Sequence, residues 1–149
     1  TLLVARRARG LQPQRRRRPS TTALAQAEAS GPAGGKVAVI TGASSGIGQA
    51  TVEGLARSGQ FSHIVLAGRN PGKHEQALEK IRSACPTEES PKLLYLDLDL
   101  ASMRSVRSFV EAFEAADLPS LDVLVLNAGV MMLPQRFVTE DGFERQMGV

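Results

Sequence analysis

The sequence contains no tryptophan, one tyrosine, one cysteine and two histidines. A lone cysteine, Cys85, excludes an internal disulfide and a cysteine-based zinc site. Next to Pro86 in an expected loop, it reads as an inert thiol. His63 and His74 have no third ligand beside them, which argues against a metal centre. Apolar runs such as Val37–Thr41 and Leu121–Leu126 are far shorter than the ~20 residues a membrane-spanning helix needs.

The 149 residues, 42% hydrophobic and 22% charged, suffice for one globular domain with a sizeable core. The net charge of +3 is unevenly placed. Residues 1–35 hold seven Arg against Glu28, six positive charges net, so the remainder carries three negative charges net. This leader is rich in Arg, Ala, Ser, Thr, Gln and Pro and shows no apolar periodicity after "TLLVA". Such a segment buries too little to offset its chain entropy and is expected to be disordered. Its composition suits an organelle transit peptide, plastid or other. The rival is a nuclear-localisation or nucleic-acid arm built on Arg15–Arg18. A start at Thr1 and an end at Val149, within an expected first helical turn, suggest a fragment.

From Lys36 the pattern changes. The β-branched run "KVAVIT" at 36–41 reads as a buried parallel strand, and Gly46–Ser58 as a helix with Ile47, Thr51, Gly54 and Leu55 turned inward. Gly59 is placed to end that helix. A second strand is expected at 63–68, and a second helix at 71–84 with His74, Ala77, Leu78 and Ile81 on one face. A loop at 87–91 leads to a third strand at 92–98. Ser102 can cap a third helix whose inner face is Met103, Val106, Val110 and Phe113, with Phe109 at the edge. A fourth strand at 121–127 and a helix start within 138–149 follow. This β-α-β-α-β-α-β alternation implies an α/β, Rossmann-type doubly wound parallel sheet, incomplete at four strands and three helices.

In such a sheet, ligands bind where the strands end and the winding reverses. The turn after the first strand lies there. A helix N-terminus offers free N–H groups and partial positive charge, and glycine removes the Cβ that would keep a phosphate away. A mononucleotide P-loop needs Lys after its last glycine, whereas Gln49 and Ala50 follow Gly48. Gly42, Gly46 and Gly48 instead supply the turn, the pyrophosphate approach and the close helix packing of a dinucleotide site. An acid about 20 residues on would select NAD through the ribose 2′-hydroxyl. No carboxylate lies between Phe61 and Asn70, and Arg69 stands there instead. Arg69 can pair with a 2′-phosphate, which favours NADP(H); the competing reading makes it a solvated surface residue.

These residues resemble the short-chain dehydrogenase/reductase family. "TGASSGIG" at 41–48 matches its T-G-x-x-x-G-x-G turn, "NAG" at 127–129 its N-A-G motif, and "LDLAS" at 98–102 its adenine-contacting stretch. Within the family, "LDLASMRSVRSF" and "DGFERQMGV" resemble the retinol dehydrogenase-like group, near WW-domain oxidoreductase. Protochlorophyllide reductase is a neighbour, from which Gly129 of N-A-G separates this sequence. The resemblance implies that Gly42, Ser44, Ser45, Gly46, Ile47 and Gly48 wrap the pyrophosphate and ribose. It places Arg69 at the 2′-phosphate, Asp99 and Leu100 at the adenine, and Asn127, Ala128 and Gly129 beside the riboses. Asn127 also has a structural reading, tying adjacent strands by its amide.

The family's chemistry uses Ser, Asn and a Tyr-x-x-x-Lys pair, the Lys tuning a phenol that titrates near 10 when free. The one tyrosine, Tyr95, lies within the third expected strand and is followed four residues later by Asp99, an acid that would raise its pKa. Residues 36–149 thus hold no catalytic residue and should form a coenzyme cradle without an active site, its fourth strand left with an exposed edge. "MMLP" at 131–134 could line a substrate cleft or simply pack. The first expectation is an NADP(H)-dependent oxidoreductase interconverting an alcohol and a carbonyl on a small hydrophobic substrate, homo-oligomeric in its complete form if it follows its family. The alternatives are a non-catalytic NADP(H)-binding module and a protochlorophyllide reductase-like enzyme. Nucleic acid is not an expected partner, because the domain itself is net negative.

Overall fold

The computed structural model describes residues 2–3, 34–86 and 90–149. Strand β1 is Leu2–Leu3, β2 Lys36–Thr41, β3 Phe61–Gly68, β4 Lys92–Asp97 and β5 Val123–Val125. Helix α1 is Gly46–Arg57, α2 Pro71–Ala84, α3 Met103–Ala115 and α4 Arg145–Gly148. The sheet order is β1-β5-β2-β3-β4, with β2 to β5 mutually parallel where they pair. The winding proceeds from β2 to β4 and then reverses across β2 to β5, so the switch point lies between the ends of β2 and β5.

Alternation along the strands builds two cores. Ala38, Ile40, Ile64 and Leu66 face one side, where Val52 and Ala56 of α1 and Ala77 and Ile81 of α2 cover them. Val39, Val65 and Ala67 face the other, beneath Val106, Phe109 and Phe113 of α3. Each fully buried branched side chain contributes about 1.5–3 kcal/mol relative to exposure. Their β-branched runs are buried on both faces, as parallel strands require.

The helix ends follow local chemistry. Asn70 caps α2 by accepting from Lys73 N at 3.0 Å, and Pro71 supplies the first helical residue. Ser102 caps α3 by accepting from Ser105 N at 3.2 Å. Gly59, at φ +66°, turns the chain out of α1.

Four local expectations need correction. The inner face of α1 is Gly48, Val52 and Ala56 with Leu55 packed beside them, not the face bearing Ile47, Thr51 and Gly54. Gly48 is the residue that must approach the turn after β2, and it sets the helix rotation. On α3, Phe109 is part of the covered face while Met103 and Val110 are exposed, because turning two phenylalanines onto the sheet buries more apolar area. Strand β5 is shorter than 121–127, since Asp122 and Asn127 bind the neighbouring strand with side chains at its two ends. Residues 138–144 form a bridged turn, Val138 pairing Glu144 around Gly142 at φ +86°, and the helix starts only at Arg145.

The disordered leader expected at 1–35 falls largely outside the described residues, as do 87–89 of the expected loop. Within the leader, Leu2–Leu3 add an antiparallel rung at Leu124 and Val125, on the edge expected to stay bare. Unpaired strand edges recruit extended apolar segments in this way.

His63, on β3, is held below its ordinary pKa of 6.5, first by burial and then by the charge of Lys92. The fold therefore favours the neutral ring, and unfolding takes up a proton in acid. Stability should fall as pH drops through about 6.5 and be unaffected by this group above it. Thermal melts at about pH 7.5 and about pH 5.5 should show a smaller difference for His63→Gln than for the native protein.

Candidate functional site

The site grows from the junction of β2 and β5. Thr41, the buried last residue of β2, accepts at Oγ1 from Asn127 N at 3.1 Å and Ala128 N at 3.0 Å. Its hydroxyl donates to Val125 O at 3.4 Å. Asn127 Nδ2 returns to Thr41 O at 3.0 Å and Gly42 O at 3.3 Å. The strand-tying reading of Asn127 is thus realised in its side chain. The same bonds place Ala128 against the glycine turn, while Gly129 faces open space.

The three glycines have separate duties. Gly42 sits at φ +66°, and a Cβ there would lie 3.0 Å from Ala128 Cα. Gly48 packs so closely that a Cβ would overlap the Gly42 carbonyl oxygen and come within 2.6 Å of Asn127 Nδ2. At Gly46, φ is +56° and the Cβ position meets nothing within 4 Å. Gly42 and Gly48 therefore bring helix and strand together, and Gly46 leaves open the approach to the N-terminus of α1.

That N-terminus is free of internal competitors. Ser45 is the N-cap residue but makes no side-chain capping bond, and the first turn carries no acid. Its leading N–H groups lack helical acceptors and bear partial positive charge. Ser44 is half-buried, Ser45 exposed, and Ile47 is 80% exposed beside them. An apolar residue so exposed at the ligand end of a sheet offers a contact surface rather than core. This set of donors, with an open floor and no carboxylate, fits the pyrophosphate of a dinucleotide.

The second wall lies at the ends of β3 and β4. Arg69 follows β3 directly and comes within 3.9 Å of Asp99, Nη1 to Oδ1, with the two side chains 50% and 40% exposed. An ion pair so exposed contributes little stability. Its value is positional, since it joins two residues chosen on separate grounds. Asp99 Oδ1 also accepts from Ala101 N at 2.9 Å, and Asp99 N donates to Ser105 Oγ at 2.9 Å. Leu100 packs against the α3-side core. Arg69 and Asp99 thus flank one end of the crevice and Asn127 to Gly129 the other side of the turn.

Tyr95 lies within β4, and the acid beside its hydroxyl is Asp97 rather than Asp99. Burial, then the hydrogen bond and charge of Asp97, push its phenol well above the ordinary value. Among the described residues, no three His, Cys, Asp or Glu gather as a metal site. Met131 and Met132 of "MMLP" are 78% and 89% exposed.

Three contributions escaped the sequence reading. Thr41 was read only as part of a motif, yet it is the acceptor that joins the strands. Asp122 accepts at Oδ2 from Val37 N at 2.9 Å, while its own N–H donates to Val37 O at 3.0 Å, closing the other end of the β2–β5 pair. Glu140 bonds Ser102 Oγ, and Asp141 accepts from Met103 N at 2.7 Å, so two carboxylates from the turn after β5 serve the N-terminus of α3. That long-range capping has no local signature; the absence of acids in the first turn of α3 was the available hint.

Ala substitutions should separate the glycine roles. Gly48→Ala should destabilise the fold by about 1–3 kcal/mol or more through overpacking. Gly46→Ala should destabilise it by only about 1–2 kcal/mol through its backbone conformation, while removing ligand affinity. Urea unfolding, with and without nucleotide, measures both.

A family model described as short chain dehydrogenase matches residues 36–149. Human polyprenol dehydrogenase is 45% identical over 114 residues, covering 76% of this chain and 32% of that protein. Mouse retinol dehydrogenase 14 is 41% identical over 122 residues, covering 77% and 35%. Zebrafish (Danio rerio) WW domain-containing oxidoreductase is 46% identical over 109 residues, covering 73% and 25%. The chain thus spans about a third or less of the length of these relatives. Among solved structures, an alcohol dehydrogenase from the archaeon Thermococcus sibiricus complexed with 5-hydroxy-NADP matches with TM-score 0.59 and 32% identity, over 76% of this chain and 46% of that one. L-sorbose reductase from Gluconobacter frateurii, complexed with NADPH and L-sorbose, matches with TM-score 0.56 and 35% identity, over 68% and 36%. With its glycine turn, its strand-end Asn and its Asp99 stretch held around one crevice, this chain belongs to the short-chain dehydrogenase/reductase family, in the retinol dehydrogenase-like group.

Proposed function

We propose that the protein is an NADP(H)-dependent oxidoreductase that interconverts an alcohol and a carbonyl on a hydrophobic substrate, and that residues 36–149 are its coenzyme cradle. The observation that carries the coenzyme choice is Arg69 at the end of β3, where an NAD site would place a carboxylate. Structural relatives bound to NADPH or NADP-type ligands support it. The substrate class rests on relatives named for polyprenol and retinol, both apolar alcohols.

On this reading the first N–H groups of α1 would hold the pyrophosphate, with Gly46 leaving room for it and Ile47 offering an apolar contact. Arg69 would take the 2′-phosphate, Asp99 and Leu100 the adenine, and Asn127 to Gly129 the riboses. Bound coenzyme supplies or accepts hydride at its nicotinamide ring. Proton transfer is not assigned to Tyr95, whose hydroxyl is committed to Gly68 O and Asp97. The proposal assigns it to a Tyr-x-x-x-Lys pair, which residues 36–149 do not contain.

Replacing Arg69 by Ala tests the coenzyme assignment in the full-length native protein. NADPH affinity should fall about ten- to a hundredfold, the worth of a charge-assisted hydrogen bond, with little change for NADH. Equal losses for both, by calorimetric titration, would sink the 2′-phosphate role.

A further inference from the structure

The segment carrying Arg69 is fixed on both sides by an aromatic pair that the proposed proton transfer does not use. His74 lies in the first turns of α2, fully enclosed, with its ring 4.7 Å from that of Tyr95 and tilted 32° to it. His74 Nδ1 stands 2.8 Å from Asn70 O, an acceptor, so Nδ1 carries the proton. Asn70 O also receives His74 N at 3.2 Å. The other ring nitrogen, Nε2, is buried and has no hydrogen-bond partner among the described residues. Leaving a buried acceptor unmatched is unfavourable, and an apolar side chain would avoid it. The ring edge lies under Gly68, where a Cβ would come 2.5 Å from Cε1 and 2.8 Å from Nε2.

From the neighbouring strand, Tyr95 Oη reaches Gly68 O at 2.9 Å and Asp97 Oδ1 at 3.0 Å. Its single proton serves both acceptors. The raised pKa keeps that proton in place across the physiological range. Gly68 O receives Leu98 N as well, at 3.0 Å. The carbonyls before and after Arg69 are therefore each held by two donors, one an aromatic side chain. The Arg69 side chain itself is half-exposed at the crevice, beside Asp99. Asp97 is the register partner of Gly68. The Tyr95 hydroxyl thus also bonds the carboxylate at the end of β4.

We propose that His74 and Tyr95 are positioning residues for coenzyme selection: together they set the Gly68–Asn70 backbone so that Arg69 meets the 2′-phosphate of adenosine. This rests on the 2′-phosphate reading of Arg69. The clamp acts through the root of the Arg69 side chain, so its effect is confined to ligands bearing that phosphate.

The test compares adenosine 2′,5′-bisphosphate with AMP as probes, by calorimetry on the full-length native protein, alongside melting temperature. Tyr95→Phe keeps the ring against His74 and removes the hydroxyl. His74→Leu removes the Nδ1 donor and the orphaned Nε2 together. Each should weaken the bisphosphate about two- to tenfold, the worth of one neutral hydrogen bond, and leave AMP unchanged. His74→Leu should do so without lowering the melting temperature, which separates positioning from folding. In an Arg69→Ala background, Tyr95→Phe should have no further effect on the ratio of the two affinities. A lowered melting temperature with an unchanged ratio in both variants would overturn the positioning role alone. Equal weakening of both probes would overturn it too, as damage to the whole crevice. A bisphosphate preference that survives Arg69→Ala would instead overturn the 2′-phosphate reading, and the clamp with it.

Discussion

The ligand end of this sheet depends on the bonds between Thr41 and Asn127. A doubly wound sheet must separate its chain paths where the winding reverses, and the gap that opens there is the binding crevice. The gap is useful only if its two sides keep a fixed distance. Thr41 Oγ1 accepts from two successive N–H groups after β5, and the Asn127 amide donates to two successive carbonyls after β2. Two side chains thus serve two N–H groups and two carbonyls of this partly buried junction. Asp122 repeats the arrangement at the opposite end, with Val37. Strand β5 can then be three residues long and still be held in register.

The helix positions follow from that junction. Because Asn127 Nδ2 occupies the space above Gly42 O, only a residue without a side chain fits at Gly48. That requirement rotates α1 so that Val52 and Ala56 descend onto Ala38, Ile40 and their neighbours. It also turns Ile47 outward, toward the crevice. Packing and binding are thus set by one close approach: the face that buries Val52 is the reason Ile47 stays available. At the far side, the carbonyls around Arg69 are held from α2 and β4, while the Arg69 side chain pairs with Asp99. Rigid backbone carrying a half-exposed cationic side chain is a suitable arrangement for selecting an anion.

Much of this was legible in residue order. The strand-helix alternation, the capping Ser102 and the glycine turn are local signals, and their elements stand where those signals put them. Helix α2 occupies the expected 71–84, since Pro71 starts it and its apolar spacing is regular. Rotation about a helix axis was harder to read. Periodicity gives the width of an apolar stripe but not its centre, and at α1 the centre was set by a contact with Asn127, 79 residues away. Contributions that cross such distances were also hidden. Glu140 and Asp141 cap a helix that begins at Met103, and Leu2–Leu3 pair with β5. The strand-tying amide of Asn127 was legible in its motif, but Thr41 as the acceptor that answers it was not.

On the proposed function, the crevice between the β2–α1 turn and the end of β5 takes the coenzyme, with Arg69 at its adenosine end. Hydrogen–deuterium exchange of the full-length native protein, with and without NADPH, reads this amide by amide. The account predicts protection concentrated at 42–48, with smaller effects at 68–70, 98–101 and 127–129. Binding of NADPH with exchange at 42–48 unchanged, or protection confined to other surfaces, would contradict it.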